Sequence, residues 1–118
     1  MKSLFILNDP PYGSERGYNA LRLARELFKP PETGNEVKVF LLGDAVSGAK
    51  ANQKVPPGYY NIGQMAEMIA RRQAEIGVCG ACLDARGVAE TDLVAGARRG
   101  TMAELAQWTE WADKSIVF

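Results

Sequence analysis

The two cysteines of the chain, Cys79 and Cys82, are three positions apart within the segment 77–87. The pattern of this segment predicts the junction of a short strand and a helix. A thiol at the start of a helix faces unpaired backbone N–H groups and the positive end of the helix dipole, which favour the thiolate and lower the thiol pKa. Because the thiolate is the nucleophilic form, the sequence predicts thiol chemistry here, with Cys79 as the nucleophile.

Arg86 is the nearest cation to the two cysteines in the sequence. If the helix begins near Gly80, Cys82 lies about one turn from Cys79, and Arg86, four residues beyond Cys82, shares its face of the helix. Arg86 could then support a thiolate or an anionic sulfur species. Alternatively, it is a solvated charge at the helix end beside Gly87, whose position is typical of a C′ glycine. The sequence leaves both interpretations open.

The composition excludes several functional classes. The chain has 118 residues and no histidine, which removes Ser-His-Asp and Cys-His catalysis and every zinc site built from cysteine and histidine. One Cys-x-x-Cys pair supplies half of a tetrahedral thiolate site, and no glycine-rich phosphate loop follows an early strand. A metal ion or an iron–sulfur cluster would need further ligands from a second subunit, which is a minor alternative. We therefore expect no metal and no cofactor.

The charge balance argues against nucleic acid as a direct ligand. Fourteen basic and fourteen acidic residues give a net charge of zero, and no basic stretch is interleaved with aromatic residues. The apolar run at residues 4–7 is too short for a signal peptide core or a membrane span, so we expect a cytoplasmic protein without membrane contact. Closely spaced cysteines in the cytoplasm are more often redox-active, sulfur-carrying or metal-binding than structural.

The spacing of apolar residues predicts alternating strands and helices. Strands are predicted at residues 3–8, 37–42, 76–78, 97–100 and 116–118, with an irregular stretch and at most a short helix in segment 45–60. Ser14 is predicted to cap the first helix, and Asn61 and Thr101 each open a capping box. Apolar strands separated by amphipathic helices are typical of a parallel sheet covered on both faces. We therefore expect one α/β domain spanning residues 1–118.

Ligands bind beyond the carboxyl ends of the strands in open parallel sheets, so the residues after each strand should converge near Cys79. The candidate pocket residues are Asn8, Pro11, Tyr12, Asp44, Asn61 and Gly80. For Tyr12 and Asn61, packing of the loop and capping of the helix are the favoured interpretations.

Taken together, the motifs resemble the DsrE/DsrF-like family, small single-domain proteins of sulfur-relay and sulfur-oxidation systems. The likeness runs nearly end to end and includes a Pro11–Arg16 entry into the first helix, Leu42-Gly43-Asp44 after the second strand, Tyr60-Asn61 before a helix, Val78-Cys79 followed by Arg86-Gly87, and Ala112-Asp113-Lys114 before the last strand. The cysteine segment is the most specific of these motifs.

The resemblance implies a three-layer α/β/α fold with a parallel sheet of five strands, and assembly as a homo-oligomer, either a trimer or a hexamer. It also implies that Cys79, which matches the family cysteine, carries persulfide sulfur. Cys82 is a departure, because the best understood relay subunits have one thiol at this site. With one thiol, the persulfide must pass to a partner protein's cysteine, whereas a second thiol could resolve it internally as a disulfide and release sulfide.

Three functional hypotheses follow. The leading one is a sulfur carrier or sulfurtransferase, with Cys79, Cys82 and Arg86 as candidate catalytic residues and unidentified sulfur donor and acceptor proteins as partners. The second is a dithiol redox protein that uses Cys79 and Cys82 as a reversible pair. The third is a non-catalytic, oligomeric module that binds a small ligand and in which the cysteines only pack.

Overall fold

Strands and helices alternate along the chain, as the apolar pattern predicts. The computed structural model describes residues 1–29 and 31–118. Its elements are β1 (Lys2–Leu7), α1 (Arg16–Leu27), β2 (Glu36–Leu41), α2 (Ile62–Ala70), β3 (Glu75–Cys79), α3 (Gly80–Ala85), β4 (Ala97–Gly100), α4 (Met102–Trp111) and β5 (Lys114–Val117), with three short 3-10 helices at Pro31–Thr33, Gly43–Ala49 and Glu90–Asp92. Within this described part, none of the helices combines the length and the apolar character needed to cross a membrane.

The five strands form one sheet in the order β4-β3-β2-β1-β5, and all four pairings are parallel. The predicted α/β fold is therefore confirmed. In the β2–β3 pair, Leu41 lies opposite Val78, so both strands end at the same edge of the sheet. This register places Gly43, which follows β2, close to Cys79 at the end of β3.

Side chains alternate between the two faces of the sheet, and helices cover both. On one face, Phe5 and Val39 are buried together with residues of α1, α2 and α3. On the other face, Leu4 and Phe40 pack against α4, where the ring of Phe40 meets the ring of Trp108 edge-on with centroids 5.7 Å apart. The helices and the sheet thus form the three layers that the family resemblance implies.

The predicted cap of the first helix is displaced by one residue. Helix α1 begins at Arg16, and Glu15 occupies the N-cap position without a side-chain hydrogen bond. The Ser14 hydroxyl donates instead to Asp9 Oδ2 at 2.8 Å and accepts a long hydrogen bond of 3.4 Å from the Arg16 N–H. Competition from the Asp9 carboxylate, which the local sequence pattern does not reveal, explains the difference.

The two later caps form as predicted. Asn61 Oδ1 accepts from the Gln64 N–H at 3.0 Å, and Thr101 Oγ1 accepts from the Glu104 N–H at 3.1 Å. Part of segment 45–60 is helical, because the 3-10 helix Gly43–Ala49 extends into it and buries Val46.

We predict that Gly77→Ala destabilises the protein by about 1–3 kcal/mol, the usual cost of overpacking. A Cβ at residue 77 would lie 2.8 Å from Phe40 Cδ2 and 3.1 Å from Trp108 Cη2, and both rings are held by the surrounding core. Urea denaturation of the wild type and the variant measures the difference in the free energy of unfolding.

Gly17→Ala on α1 is the matched control. A Cβ at this buried glycine would lie at an ordinary contact distance of 3.8 Å from Leu7 Cδ2. Alanine is also preferred over glycine within a helix by roughly 0.5–1 kcal/mol. Equal stability losses in the two variants would contradict the packing argument.

Candidate functional site

The site is built on the direct junction of β3 and α3. Cys79 is the last residue of β3 and the N-cap residue of α3, which begins at Gly80 as predicted. The Cys79 Sγ accepts a hydrogen bond from the Cys82 N–H at 3.3 Å. The Sγ atoms of the two cysteines lie 2.6 Å apart. One turn of helix thus brings both sulfur atoms into direct contact.

Cys82 also contacts the segment that follows β2. The Gly43 N–H donates to the Cys82 Sγ at 3.2 Å. Gly43 has a φ of +55°, in the left-handed region where residues other than glycine are disfavoured. The pairing of β2 with β3 therefore supplies a backbone donor to the second sulfur atom.

Arg86 joins α3 to the same segment. Its Nε and Nη2 donate to Asp44 Oδ1 at 3.1 and 2.7 Å, and its Nη1 donates to the Cys82 carbonyl oxygen at 3.1 Å. Among the described residues, Arg86 forms no hydrogen bond with either sulfur atom. Its guanidinium contacts the Cys82 backbone and Asp44 instead. Gly87 has a φ of +64° directly after this C-cap, as expected of a C′ glycine.

Cys79 lines an open cavity of about 560 Å³ at the edge of the sheet. The other lining residues are Gly80, Ala81, Glu90, Arg99, Gly100, Thr101 and Met102. Gly80 is the member of the predicted pocket set that lines this cavity. A small molecule or an extended segment of another protein would reach the Cys79 sulfur from this side.

Tyr12 and Asn61 belong to a different cluster. The Tyr12 hydroxyl accepts from the Ile62 N–H at 3.2 Å and donates to Gln53 Oε1, and Asn61 Nδ2 donates to the Gln53 carbonyl oxygen at 2.9 Å. These bonds fasten the loop before α2 to the start of that helix. Tyr12 and Asn61 therefore make the contacts expected of a loop-packing residue and a helix cap.

Asn8 and Pro11 follow β1 in the chain and have different surroundings. Asn8 Nδ2 donates to the Phe118 carbonyl oxygen at 3.4 Å. The Asn8 carbonyl oxygen lies 3.8 Å from where a Cβ on Gly43 would be, so Asn8 borders the glycine that contacts Cys82. Pro11 lines a separate, small apolar cavity together with residues of α1 and α2.

Arg99 and Asp84 are the site residues that the sequence reasoning missed. Arg99 Nη1 and Nη2 donate to the two oxygens of Asp84 at 2.8 and 2.7 Å. The guanidinium lies over Gly80, where a Cβ would be only 2.8 Å from Arg99 Nε. This hydrogen-bonded pair lowers the pKa of the Asp84 carboxyl and raises the pKa of Arg99. The register that sets Cys79 opposite Gly100 brings Arg99 here, and a single sequence carries no signal of that register.

The pKa of the Cys79 thiol is raised, so the expected lowering is wrong. Burial is the largest cause, followed by the side chain of Cys82, whereas hydrogen bonds from the Cys82 and Ala81 N–H groups act in the opposite direction. A second thiol in contact makes a negative charge on Cys79 less favourable, and the N-terminus of α3, a helix of six residues, does not compensate.

A metal site was not expected from one Cys-x-x-Cys pair. In residues 1–29 and 31–118, no group of three or more His, Cys, Asp or Glu side chains is placed to hold a metal ion.

The sequence comparison agrees with this architecture. A family model described as the DsrE/DsrF-like family matches residues 1–118. The chain belongs to the DsrE/DsrF-like family. Among its relatives, the protein YchN of Escherichia coli K12 is 40% identical over 117 residues, covering 99% of this chain and 98% of YchN. An uncharacterised protein of Methanopyrus kandleri is 36% identical over 113 residues, covering 96% of this chain and 90% of its own length.

Solved structures of similar proteins share the fold. The crystal structure of E. coli YchN superposes with a TM-score of 0.92 at 40% identity and covers 100% of this chain and 99% of that chain. A protein of unknown function from Methanobacterium thermoautotrophicum superposes with a TM-score of 0.77 at 13% identity, covering 99% and 98% of the two chains. The second likeness concerns the fold alone. The resemblance to the DsrE/DsrF-like family that the sequence motifs predict is confirmed.

We predict that Cys82→Ala lowers the pKa of Cys79. The substitution removes the side chain that raises this pKa and reduces burial, but it retains the backbone N–H of residue 82, which lowers it. The rate of iodoacetamide alkylation at Cys79 should therefore reach its midpoint at a lower pH than in the wild type. Mass spectrometric fragmentation of the tryptic peptide 73–86 distinguishes the two cysteines.

Cys79→Ala is the control for this measurement, since any alkylation of that variant comes from Cys82. A midpoint for Cys79 that is unchanged or shifted to higher pH in Cys82→Ala would contradict the role assigned to the second thiol.

Proposed function

We propose that the protein is a sulfur carrier or sulfurtransferase that holds sulfane sulfur as a persulfide on Cys79. The observation that carries the proposal is the position of the Cys79 thiol, which lines an open cavity at the carboxyl edge of a parallel sheet. Ligands of such sheets bind at this edge. Membership of the DsrE/DsrF-like family, which is associated with sulfur relay, supports the same function.

The transfer conserves atoms and charge. The Cys79 thiolate attacks the outer sulfur of a donor persulfide, the S–S bond of the donor breaks, and the donor leaves as a thiolate with the electron pair. Cys79 then carries the additional sulfur atom. Attack on that sulfur by the thiolate of an acceptor reverses the process and regenerates the Cys79 thiolate, with no net oxidation.

The pKa of Cys79 determines how loading depends on pH. Since burial and Cys82 raise this pKa, only a small fraction of Cys79 is ionised at neutral pH. Loading by a small persulfide should therefore accelerate as pH rises through and above the ordinary range of a thiol.

A dithiol redox protein is the second candidate function. The observation in its favour is the separation of 2.6 Å between the Sγ atoms of Cys79 and Cys82, both of which are free thiols. Reversible disulfide formation would then exchange electrons with a partner dithiol, and no sulfur atom would be carried.

The proposal also includes the partner proteins and the oligomeric state. We expect unidentified sulfur donor and acceptor proteins in the cytoplasm and a homo-oligomer, either a trimer or a hexamer. Two apolar side chains at the sheet and at α4, Val117 and Met102, are exposed in the single chain and are candidates for subunit contacts.

Light scattering coupled to size-exclusion chromatography should give a mass of three or six chains, and a monomer at all concentrations would contradict the expectation.

Intact mass spectrometry tests the carrier function. Wild type, Cys79→Ser and Cys82→Ser are incubated with a low-molecular-weight persulfide, with and without a reductant. We expect a reductant-sensitive gain of one sulfur atom in Cys82→Ser and none in Cys79→Ser, because Cys79 is the acceptor.

The other outcomes separate the alternatives. Loading that is undiminished in Cys79→Ser would overturn the assignment of the acceptor. A loss of two hydrogen atoms that requires both cysteines, without any sulfur gain in Cys82→Ser, would favour the dithiol redox protein. No mass change in any variant would favour a binding module that does no thiol chemistry.

A further inference from the structure

The two thiols of the site are held in different surroundings. Cys79 lines the open cavity, where a sulfur donor can approach it. Cys82 is in contact with the Cys79 sulfur on one side and accepts the Gly43 N–H on the other, at 3.2 Å. A backbone N–H aimed at a sulfur atom stabilises negative charge on it. Cys82 is thus placed to act on whatever Cys79 carries.

An ion pair lies next to the Gly43 donor. Asp44, the next residue, accepts two hydrogen bonds from Arg86, and Arg86 also donates to the Cys82 carbonyl oxygen. Arg86 therefore connects the residue after Gly43 to the backbone of Cys82. The side chains of Arg86 and Asp44 are 32% and 64% exposed, and exposed ion pairs contribute little to stability. Stability of the fold is thus a weak explanation for this pair.

We propose that Cys82 resolves a persulfide on Cys79 and releases sulfide, and that Asp44 and Arg86 are positioning residues that keep the Gly43 N–H on the Cys82 sulfur. The inference rests on the proposed persulfide chemistry at Cys79. It names the fate of the carried sulfur, which the carrier function leaves open.

The resolving step forms one S–S bond and breaks another. Cys82 loses its proton to solvent, and its thiolate attacks the Cys79 Sγ, forming the disulfide between the two cysteines. The bond from the Cys79 Sγ to the outer sulfur breaks, and that sulfur leaves as hydrosulfide with the electron pair. The two cysteine sulfurs are oxidised and the sulfane sulfur is reduced. A dithiol reductant then returns the disulfide to two thiols for another turnover.

The geometry favours this attack over transfer to a second protein. Residues three apart on a helical turn fall within the range of separations that a disulfide spans, and the Sγ atoms are already 2.6 Å apart. An intramolecular nucleophile in contact with its target also has a large advantage in effective concentration. An acceptor protein must therefore intercept the persulfide before Cys82 reacts.

A single-turnover experiment tests the inference. Reduced protein is mixed with glutathione persulfide, sulfide is followed with a selective probe, and the protein species are quantified by intact mass spectrometry. In the wild type we expect brief persulfide loading, then sulfide release together with the loss of two hydrogen atoms. In Cys82→Ser the persulfide should accumulate without sulfide release.

Asp44→Asn and Arg86→Gln test the positioning role. We expect sulfide release to slow roughly three- to tenfold, as for partial loss of a hydrogen bond to a charged group. Arg86→Lys, which keeps a cation near Asp44, should restore part of the rate.

Arg98→Gln is the matched control. Arg98 forms a partly exposed pair with Glu104 at 2.8 Å, and its hydrogen bonds in the described chain do not reach Gly43 or Cys82. This variant should release sulfide at the wild-type rate.

The outcomes distinguish the inference from the function on which it rests. A persulfide that is stable in the wild type and equally stable in Cys82→Ser would overturn the resolving role and leave the carrier function intact. Absence of loading in Cys82→Ser would overturn the carrier function itself. A rate of sulfide release in Asp44→Asn and Arg86→Gln that matches that of Arg98→Gln would overturn the positioning role.

Discussion

The parallel pairing of β2 with β3 is the constraint on which the site depends. Because both strands run in the same direction in register, their carboxyl ends meet, and the backbone after β2 reaches the helix that starts after β3. The Gly43 N–H can then donate to Cys82, and Asp44 can pair with Arg86. Beneath this edge, Gly77 leaves room for the rings of Phe40 and Trp108, so the packing of the core and the position of the thiols are linked through one strand.

The pKa of Cys79 depends more on burial and on the neighbouring Cys82 thiol than on the N-terminus of α3. A helix N-terminus favours a thiolate, but burial and the second thiol have the larger effect on Cys79 and raise its pKa. The backbone donors of the site are divided between the two sulfurs, with the Cys82 N–H on Cys79 and the Gly43 N–H on Cys82. Two thiols with different donors and different access can take different parts in one reaction.

Much of the fold was predictable because its signals are local. Apolar runs and amphipathic spacing identified the strands and helices, and the caps at Asn61 and Thr101 formed where the sequence pattern placed them. The cap at Ser14 was displaced because Asp9 binds the serine hydroxyl. The candidate pocket was harder to predict, since strand ends indicate a shared edge without indicating which loop side chains reach a given sulfur. Tyr12 and Asn61 are taken up by contacts with Gln53 and Ile62.

The sequence by itself determined the α/β architecture and the thiol junction, because these follow from periodicity and from residues adjacent in the chain. Its motifs also carried the resemblance to the family. Only the tertiary structure decided that Arg99 lies over Gly80, that Gly43 contacts Cys82 and that Arg86 binds Asp44. Each of these contacts joins separate elements and depends on strand order and register. Those are set by the packing of the whole core, and the spacing of residues along one chain does not specify them.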